Sequence, residues 1–388
     1  MNKQEILLAL IRNVICGETL DDNLISACTP EMLEDVYKLA IKHDLPHLVG
    51  QALSKTAAPA SDALAKCKKA AMGAFMRYVQ QNHEYNRVCA VLEEAKIPFI
   101  PLKGSVLRDY YPEAWMRTSC DADILVKEEI LDTATALLVE KLGYTAGGKS
   151  DHDVTLRAAS GFLLELHYDT IQERYEVNGC REVLASIWEH AAPKEQGKNH
   201  LWLTDEMFYF YHMAHMAKHF AVGGCGVRAF LDIWIMNHRM DFDREKRYAL
   251  LAEGGLLQFA KAAESLSECW FSGAEPAEMD VALSDYILRA SLYGDKANRA
   301  ALGQAKNGGK LKYVLTQRVF MPYSYLKDEY PVLKKHKWLT PWYQVVRWFR
   351  MLRRRGGLGN TVKELKANAA SKQSEGAAAA DILKHLGL

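Results

Sequence analysis

The sequence predicts an α+β protein in which a mixed β-sheet with its own helices is flanked by N- and C-terminal helical regions. Three observations carry that prediction. Apolar residues recur at helical spacing through residues 1–95, short β-prone runs punctuated by glycine and proline cluster in 96–205, and helical periodicity returns from residue 206. The expected organisation is an N-terminal helical region (1–95), an α/β core (96–205), a C-terminal helical region (206–355) and a flexible tail with a weak terminal helix (356–388).

In the first region Ile6, Leu7, Leu10 and Ile11, and later Met72, Phe75, Met76 and Val79, keep helical spacing, with glycine and proline confined to joins. The opening apolar run is broken by Arg12 and Asn13 and is followed by no small-residue cleavage pattern, so it reads as an amphipathic helix and not a signal peptide. At Lys96 the texture changes. IPFIPL is a strand running into KGSVLRDYY, a helix opened by Gly104 and Ser105. DADILVK alternates as a strand, EEILDTATALLVEKLGY is a helix stopped at Gly143, and DVTLRA and GFLLELHYD are two more strands. The later helices break at 221–226, 273–278, 306–310 and 321–326.

At 388 residues the chain suggests two or three domains on a prior of ~150 residues each. It is 49% apolar and 25% charged, the mix of a globular protein. A net charge of +1 gives no whole-chain case for nucleic-acid binding. With no apolar run long enough to span a membrane, the expected location is the cytoplasm. The eight cysteines are scattered without a CxxC pair, which reads as reduced, mostly buried thiols; Cys120 is a passive neighbour of Asp121. The balanced total conceals one basic segment. Residues 331–355 hold eight Lys or Arg and no acid, interleaved with Trp338, Trp342, Tyr343, Trp348 and Phe349, and Arg347, Arg350 and Arg354 share a helical face. That segment suits an anionic partner, nucleic acid or a membrane surface, and equally a docked helix with a solvated basic side.

The chemistry concentrates in the core. Strand alternation turns Asp121 and Asp123 to one face and Ala122, Ile124 and Val126 to the other. In LLELHYD the same alternation groups Leu163, Glu165 and His167 against Leu164, Leu166 and Tyr168. If the two strands are neighbours, three carboxylates converge. One like-charge pair at about 4 Å costs on the order of 4 kcal/mol at an effective dielectric near 20, so a cation must sit among them. Oxygen ligands in a partly open site favour Mg²⁺ or Mn²⁺ and, with them, nucleoside triphosphate chemistry. Gly104 and Ser105 offer a backbone that a phosphate approaches closely, and Lys103 adds a point charge. Arg117 has two readings, a phosphate contact or an ion pair with Asp121 or Glu113.

LKGS, then Arg117-x-x-x-Asp121-x-Asp123 followed by ILV, then ELH, resembles the uncharacterised nucleotidyltransferases of the DNA-polymerase-β-like superfamily. The resemblance is strongest over 96–170. It implies a nucleotidyltransferase-type sheet core, with Gly104 and Ser105 holding the triphosphate, Asp121 and Asp123 ligating metal and Glu165 as third acid. The implied reaction transfers a nucleoside monophosphate, AMP foremost, from an NTP to a hydroxyl acceptor that is a small molecule, a protein or an RNA. Glu165 would bind a second metal or take the hydroxyl proton, and His167 would be a supporting or acceptor-binding group.

His212, His215 and His219 share one face of a later helix, inviting three readings: a zinc site, an acceptor- or nucleotide-facing surface, or a packed face. The resemblance favours packing of this helix over the active site, with Arg228 and Asp232 as partners. Asp151-His152-Asp153 reads as a polar loop or strand start, since consecutive strand residues face opposite sides. Two rival functions stay open, a non-catalytic nucleotide-binding module and a toxin-like enzyme that modifies tRNA or protein.

Overall fold

The structure is a computed structural model and describes residues 1–170, 177–289, 303, 320–353 and 373–388. Five helices come first: α1 (Lys3–Cys16), α2 (Asp22–Ala27), α3 (Pro30–Lys42), α4 (Pro46–Ala52) and the long α5 (Asp62–Glu94). Their starts are written locally. Asn2 and Glu5 form a reciprocal capping box on α1, while Asp21, Thr29 and Ser61 each accept a backbone N–H at the start of α2, α3 and α5. Helix α4 crosses α5 so closely that a Cβ on Gly50 would lie 2.3 Å from the Cys67 carbonyl oxygen, which only glycine avoids.

A five-stranded mixed sheet follows, built from β1 (Ile100–Leu102), β2 (Ala122–Leu125), β3 (Thr145–Lys149), β4 (Asp153–Arg157) and β5 (Leu163–His167) in the order β1-β2-β5-β4-β3. Strands β2 and β5 are parallel, and the other neighbours are antiparallel. The β1-to-β2 connection carries α6 (Gly104–Leu107), and β2 leads into α7 (Leu131–Leu142), which Gly143 ends in the left-handed conformation at φ 68°. After β5 come α8 (Cys180–Leu184) and a small antiparallel pair, β6 (Ala191–Pro193) and β7 (Leu201–Leu203). The strands β3, β6 and β7 carry little periodic signal: TAGGK is exposed at every position, and the other two are three residues long.

One face of the sheet is apolar. Ala122, Ile124, Val126, Leu164 and Leu166 pack with Val88 and Leu92 of α5 and Leu131, Ala134 and Leu138 of α7. The opposite face carries Asp123, Glu165 and His167 and meets the next helices, α9 (Asp205–Val222) and α10 (Val227–Arg239). These continue into α11 (Arg244–Glu253), α12 (Leu257–Phe271) and α13 (Glu278–Arg289), and α9, α10 and α12 share a second, larger core with α1, α3 and α4. Among the described residues no helix is long and apolar enough to cross a membrane.

One expectation is corrected by burial. The run Met72, Phe75, Met76, Val79 is helical as its spacing requires, and its four side chains are exposed on α5. Arg347, expected on a solvated basic face, is buried in the helix Thr340–Arg353, whereas Arg350 is exposed and pairs with Glu329 at 3.3 Å. Arg354, the glycine break at 306–310 and most of the tail lie outside the described residues.

Candidate active site

The parallel register sets Asp123 directly beside Glu165 and Leu125 beside His167. Neighbouring strands place opposed side chains on a common face, so the two carboxylates meet as alternation requires. His167 Nε2 lies 2.9 Å from Asp123 Oδ1 and 3.4 Å from Glu165 Oε2. Asp121 stands one residue before β2, half-buried, and lines the same cavity.

The cation that this cluster requires is supplied in part by the chain itself. Lys103 Nζ donates to Asp123 Oδ1 at 2.6 Å, so Lys103 is not a solvated helix-start residue. To reach it, Lys103 takes φ 47° and ψ −122°, a conformation that costs a non-glycine residue about 1–3 kcal/mol. Burial raises the Asp123 carboxyl, but the Lys103 ammonium and the His167 hydrogen bond outweigh it and hold Asp123 below the usual carboxylate range. Burial lowers Lys103, and the charge of Asp123 more than reverses this. For Asp121, burial, then the charges of Asp123 and Glu165, outweigh the charges of Lys103 and Arg117 and push its carboxyl up. For His167, burial works downward, and the hydrogen bonds of Asp123 and Glu165 win and raise it.

Arg117 pairs with neither Asp121 nor Glu113. It donates to both oxygens of Asp232 on α10, from Nε to Oδ1 at 3.2 Å and from Nη2 to Oδ2 at 2.9 Å, and Tyr111 Oη donates to Oδ1 at 2.7 Å. This fork is buried on both sides and fixes the guanidinium at the cavity wall. A Cβ on Gly104 would sit 2.8 Å from Arg117 Nη1, so the glycine is needed for the arginine's approach as well as for an open turn. A second latch lies nearby: Arg228 of α10 donates to Asp44 Oδ2 at 2.7 Å and to the Thr118 carbonyl at 3.1 Å, joining the N-terminal helices, the core and α10.

The cavity so enclosed has a volume of ≈ 260 Å³, and His212, His215 and His219 line it with the acids. The histidine face of α9 therefore covers the site. His215 Nε2 and His219 Nε2 lie 3.0 Å apart, and burial followed by the charge of Lys103 holds the His215 imidazole well below its ordinary range. The only group of three or more metal-ligating side chains among the described residues is Asp123, Glu165 and His167, whose donor atoms all lie within 4.8 Å of one another. Cys120 is exposed at the rim, and all eight cysteines are free.

Two further placements were not legible in sequence. Tyr211 is 1% exposed, one turn before His215, and its hydroxyl has no hydrogen-bond partner among the described residues although it feels Lys103, Asp123 and Glu165. Its position four residues before His215 is the signal that could have found it. Ser105 turns away from this cavity and lines an adjoining one. Asp151-His152-Asp153 is the polar loop and strand start that the sequence suggested: the chain bends at Asp151 and His152, β4 begins at Asp153, and both carboxylates approach His152 Nδ1, at 3.2 and 3.4 Å.

A mixed sheet bearing paired carboxylates beside a Lys-Gly-Ser turn, closed by a helical layer, defines the nucleotidyltransferase class of α+β protein. The chain belongs to the family of uncharacterised nucleotidyltransferases, whose pattern matches residues 29–272, from the start of α3 to the end of α12. No curated protein and no solved structure matches it.

Proposed function

We propose that this protein transfers a nucleoside monophosphate, AMP in the first instance, from a nucleoside triphosphate to a hydroxyl acceptor, with Mg²⁺ or Mn²⁺ held by Asp121, Asp123 and Glu165. The observation that carries the reading is Asp123 set beside Glu165 in the β2–β5 register, with Asp121 lining the same cavity. The donor set fits such an ion. Two carboxylates and an imidazole have donor atoms within 4.8 Å of one another, a combination Mn²⁺ accepts directly; for Mg²⁺ the carboxylates would ligate while His167 holds Asp123 in place. When bound, the ion would neutralise the clustered acids and polarise phosphate oxygens.

The chain's own residues supply the rest. Lys103 offers its ammonium to a phosphate oxygen from beside Asp123, and Gly104 leaves the turn open to that approach. Arg117 and Arg228 present positive charge from the α10 side while Asp232 and Asp44 keep them in place. The oxygen of Glu165 that does not ligate the ion, in a side chain part-exposed in the cavity, would accept the proton of the acceptor hydroxyl. The hydroxyl oxygen bonds to the α-phosphorus as the bond from the α-phosphorus to the bridging oxygen breaks and pyrophosphate departs.

The test is incubation with each α-³²P-labelled NTP and Mg²⁺ or Mn²⁺ against fractionated cell lysate, with Asp121→Ala/Asp123→Ala as control. Label should pass to one class of acceptor and be lost in the control. Absence both of transfer and of metal-dependent NTP binding overturns the reading.

A further inference from the structure

We propose that residues 331–350 form a docking surface for an anionic phospholipid membrane. The segment lies beyond residues 29–272, which carry the family pattern, and the nucleotidyl-transfer reading makes no use of it.

The helix Thr340–Arg353 is inverted. A helix on a globular protein ordinarily buries an apolar stripe and turns polar residues to solvent. Here Gln344 and Arg347 are the buried positions, each 8% exposed, while Trp342 and Phe349 are 64% and 62% exposed. Trp342 and Phe349 are seven residues apart and so share one face, with the half-buried Val345 between them on it. Trp338, in the turn Lys337–Leu339 that leads into the helix, is 76% exposed and stands four residues before Trp342. The inner side of the helix is fixed against residues 320–333. Tyr343 meets the Tyr330 ring at 4.8 Å, Trp348 meets Phe320 at 5.8 Å, and Gln344 donates to the Met321 carbonyl. Rolling the aromatic row inward would break these contacts, so the row needs an outside partner.

Charge chooses that partner. Residues 331–355 hold eight Lys or Arg and no Asp or Glu, and Lys334, Lys335 and Lys337 are exposed just before the row. A second copy of the chain would set like charges against one another. An anionic lipid surface attracts them, and it also takes the rings: tryptophan and phenylalanine settle at the headgroup level, from which lysine stems reach the phosphates. A nucleic-acid strand fits less well. Its bases stack on rings set along a groove, whereas these rings stand on the outer, convex side of one helix with a valine among them. At 14 residues the helix is shorter than the ~20 of a membrane span, and it would lie along the surface.

The experiment is co-sedimentation of the full chain with vesicles of phosphatidylcholine alone and with vesicles about one-third phosphatidylserine, at about 0.1 and about 0.5 M salt. Single-stranded RNA, read by mobility shift, and sizing of the free chain run beside it. The chain should bind the anionic vesicles, bind the neutral ones barely, and lose most of its binding at high salt. A basic residue near such a surface is worth about fivefold in affinity, so Lys334→Gln/Lys335→Gln should weaken binding about thirtyfold. Trp342→Ala/Phe349→Ala, at exposed positions, should abolish it, and both variants should keep the parent's melting temperature. Trp338→Phe/Trp342→Phe keeps the apolar face and should still bind, with less quenching of tryptophan fluorescence by brominated lipid. Absence of vesicle binding, equal binding to both vesicles, or undiminished binding by both the lysine and the Trp342/Phe349 variants overturns the membrane surface. An RNA shift or a dimer lost in those variants, without vesicle binding, overturns it in favour of that occupant. None of these results bears on nucleotidyl transfer.

Discussion

Replacing Asp232 by asparagine tests the junction that closes the acidic cavity. The Asp232 carboxylate accepts two hydrogen bonds from Arg117 and one from Tyr111, and its side chain is 2% exposed against 9% for Arg117. Asparagine keeps the shape but leaves a buried guanidinium without its counter-charge. Removing one partner of a buried pair costs about 3–5 kcal/mol. With an unfolding entropy of about 2.1 cal/mol/K per residue, a chain of this length melting as one unit would lose roughly 5 °C. Thermal melts followed by circular dichroism, with urea titrations for the free energy, measure the loss. The double variant Arg117→Met/Asp232→Leu exchanges the pair for apolar groups and should cost less than either Arg117→Met or Asp232→Leu alone, because no charge is left unpaired. A melt of Asp232→Asn within about 1 °C of the parent, or a double variant that costs the sum of its two single variants, refutes the reasoning.

Two more outcomes follow from the buried charges. His43 is fully buried, and burial lowers its imidazole to about 4 from an ordinary 6.5. The unfolded chain therefore binds the proton first, so stability is complete above the unfolded value and falls as pH drops from 6.5 toward 4. Urea titrations between pH 7 and pH 4.5 should show a loss of about 2–3 kcal/mol, smaller in His43→Gln; equal slopes in the two proteins would reject the assignment. Lys103→Met removes the ammonium from Asp123 and leaves the acids facing one another. Mn²⁺ at about a hundredfold over its Kd should stabilise the parent by about 2.7 kcal/mol and, through tighter binding, raise the variant's melting temperature by more. An equal or smaller rise in the variant argues against a cation among the three acids.

The site was legible in sequence wherever its chemistry is local. Period-two alternation groups Asp121 with Asp123 and Glu165 with His167, and it needs only the neighbouring backbone to do so. The Gly143 stop, the N-caps and the helical texture of α5 are likewise written within a few residues. The resemblance pointed to the α9 histidine face covering the cavity, and that is where the face lies. The failures were of burial and pairing. Arg347 has the spacing of a basic face, yet spacing cannot say whether that face is solvated, and Arg347 is buried. Arg117 had acids nearby in the chain, yet its partner lies 115 residues away on α10, because a buried guanidinium pairs with the carboxylate that tertiary packing brings to it.

By itself the sequence determined an α+β chain with paired carboxylates, the Gly104 turn and the need for a cation, since these follow from strand period, backbone geometry and Coulomb repulsion. Only the tertiary structure decided that β2 and β5 run side by side in register, that Lys103 lies against Asp123, that Asp232 holds Arg117, and that Ser105 serves a separate cavity. Each of these is a contact between distant segments. Such contacts are selected by burial of charge and by closure of a common core, and no local pattern encodes them.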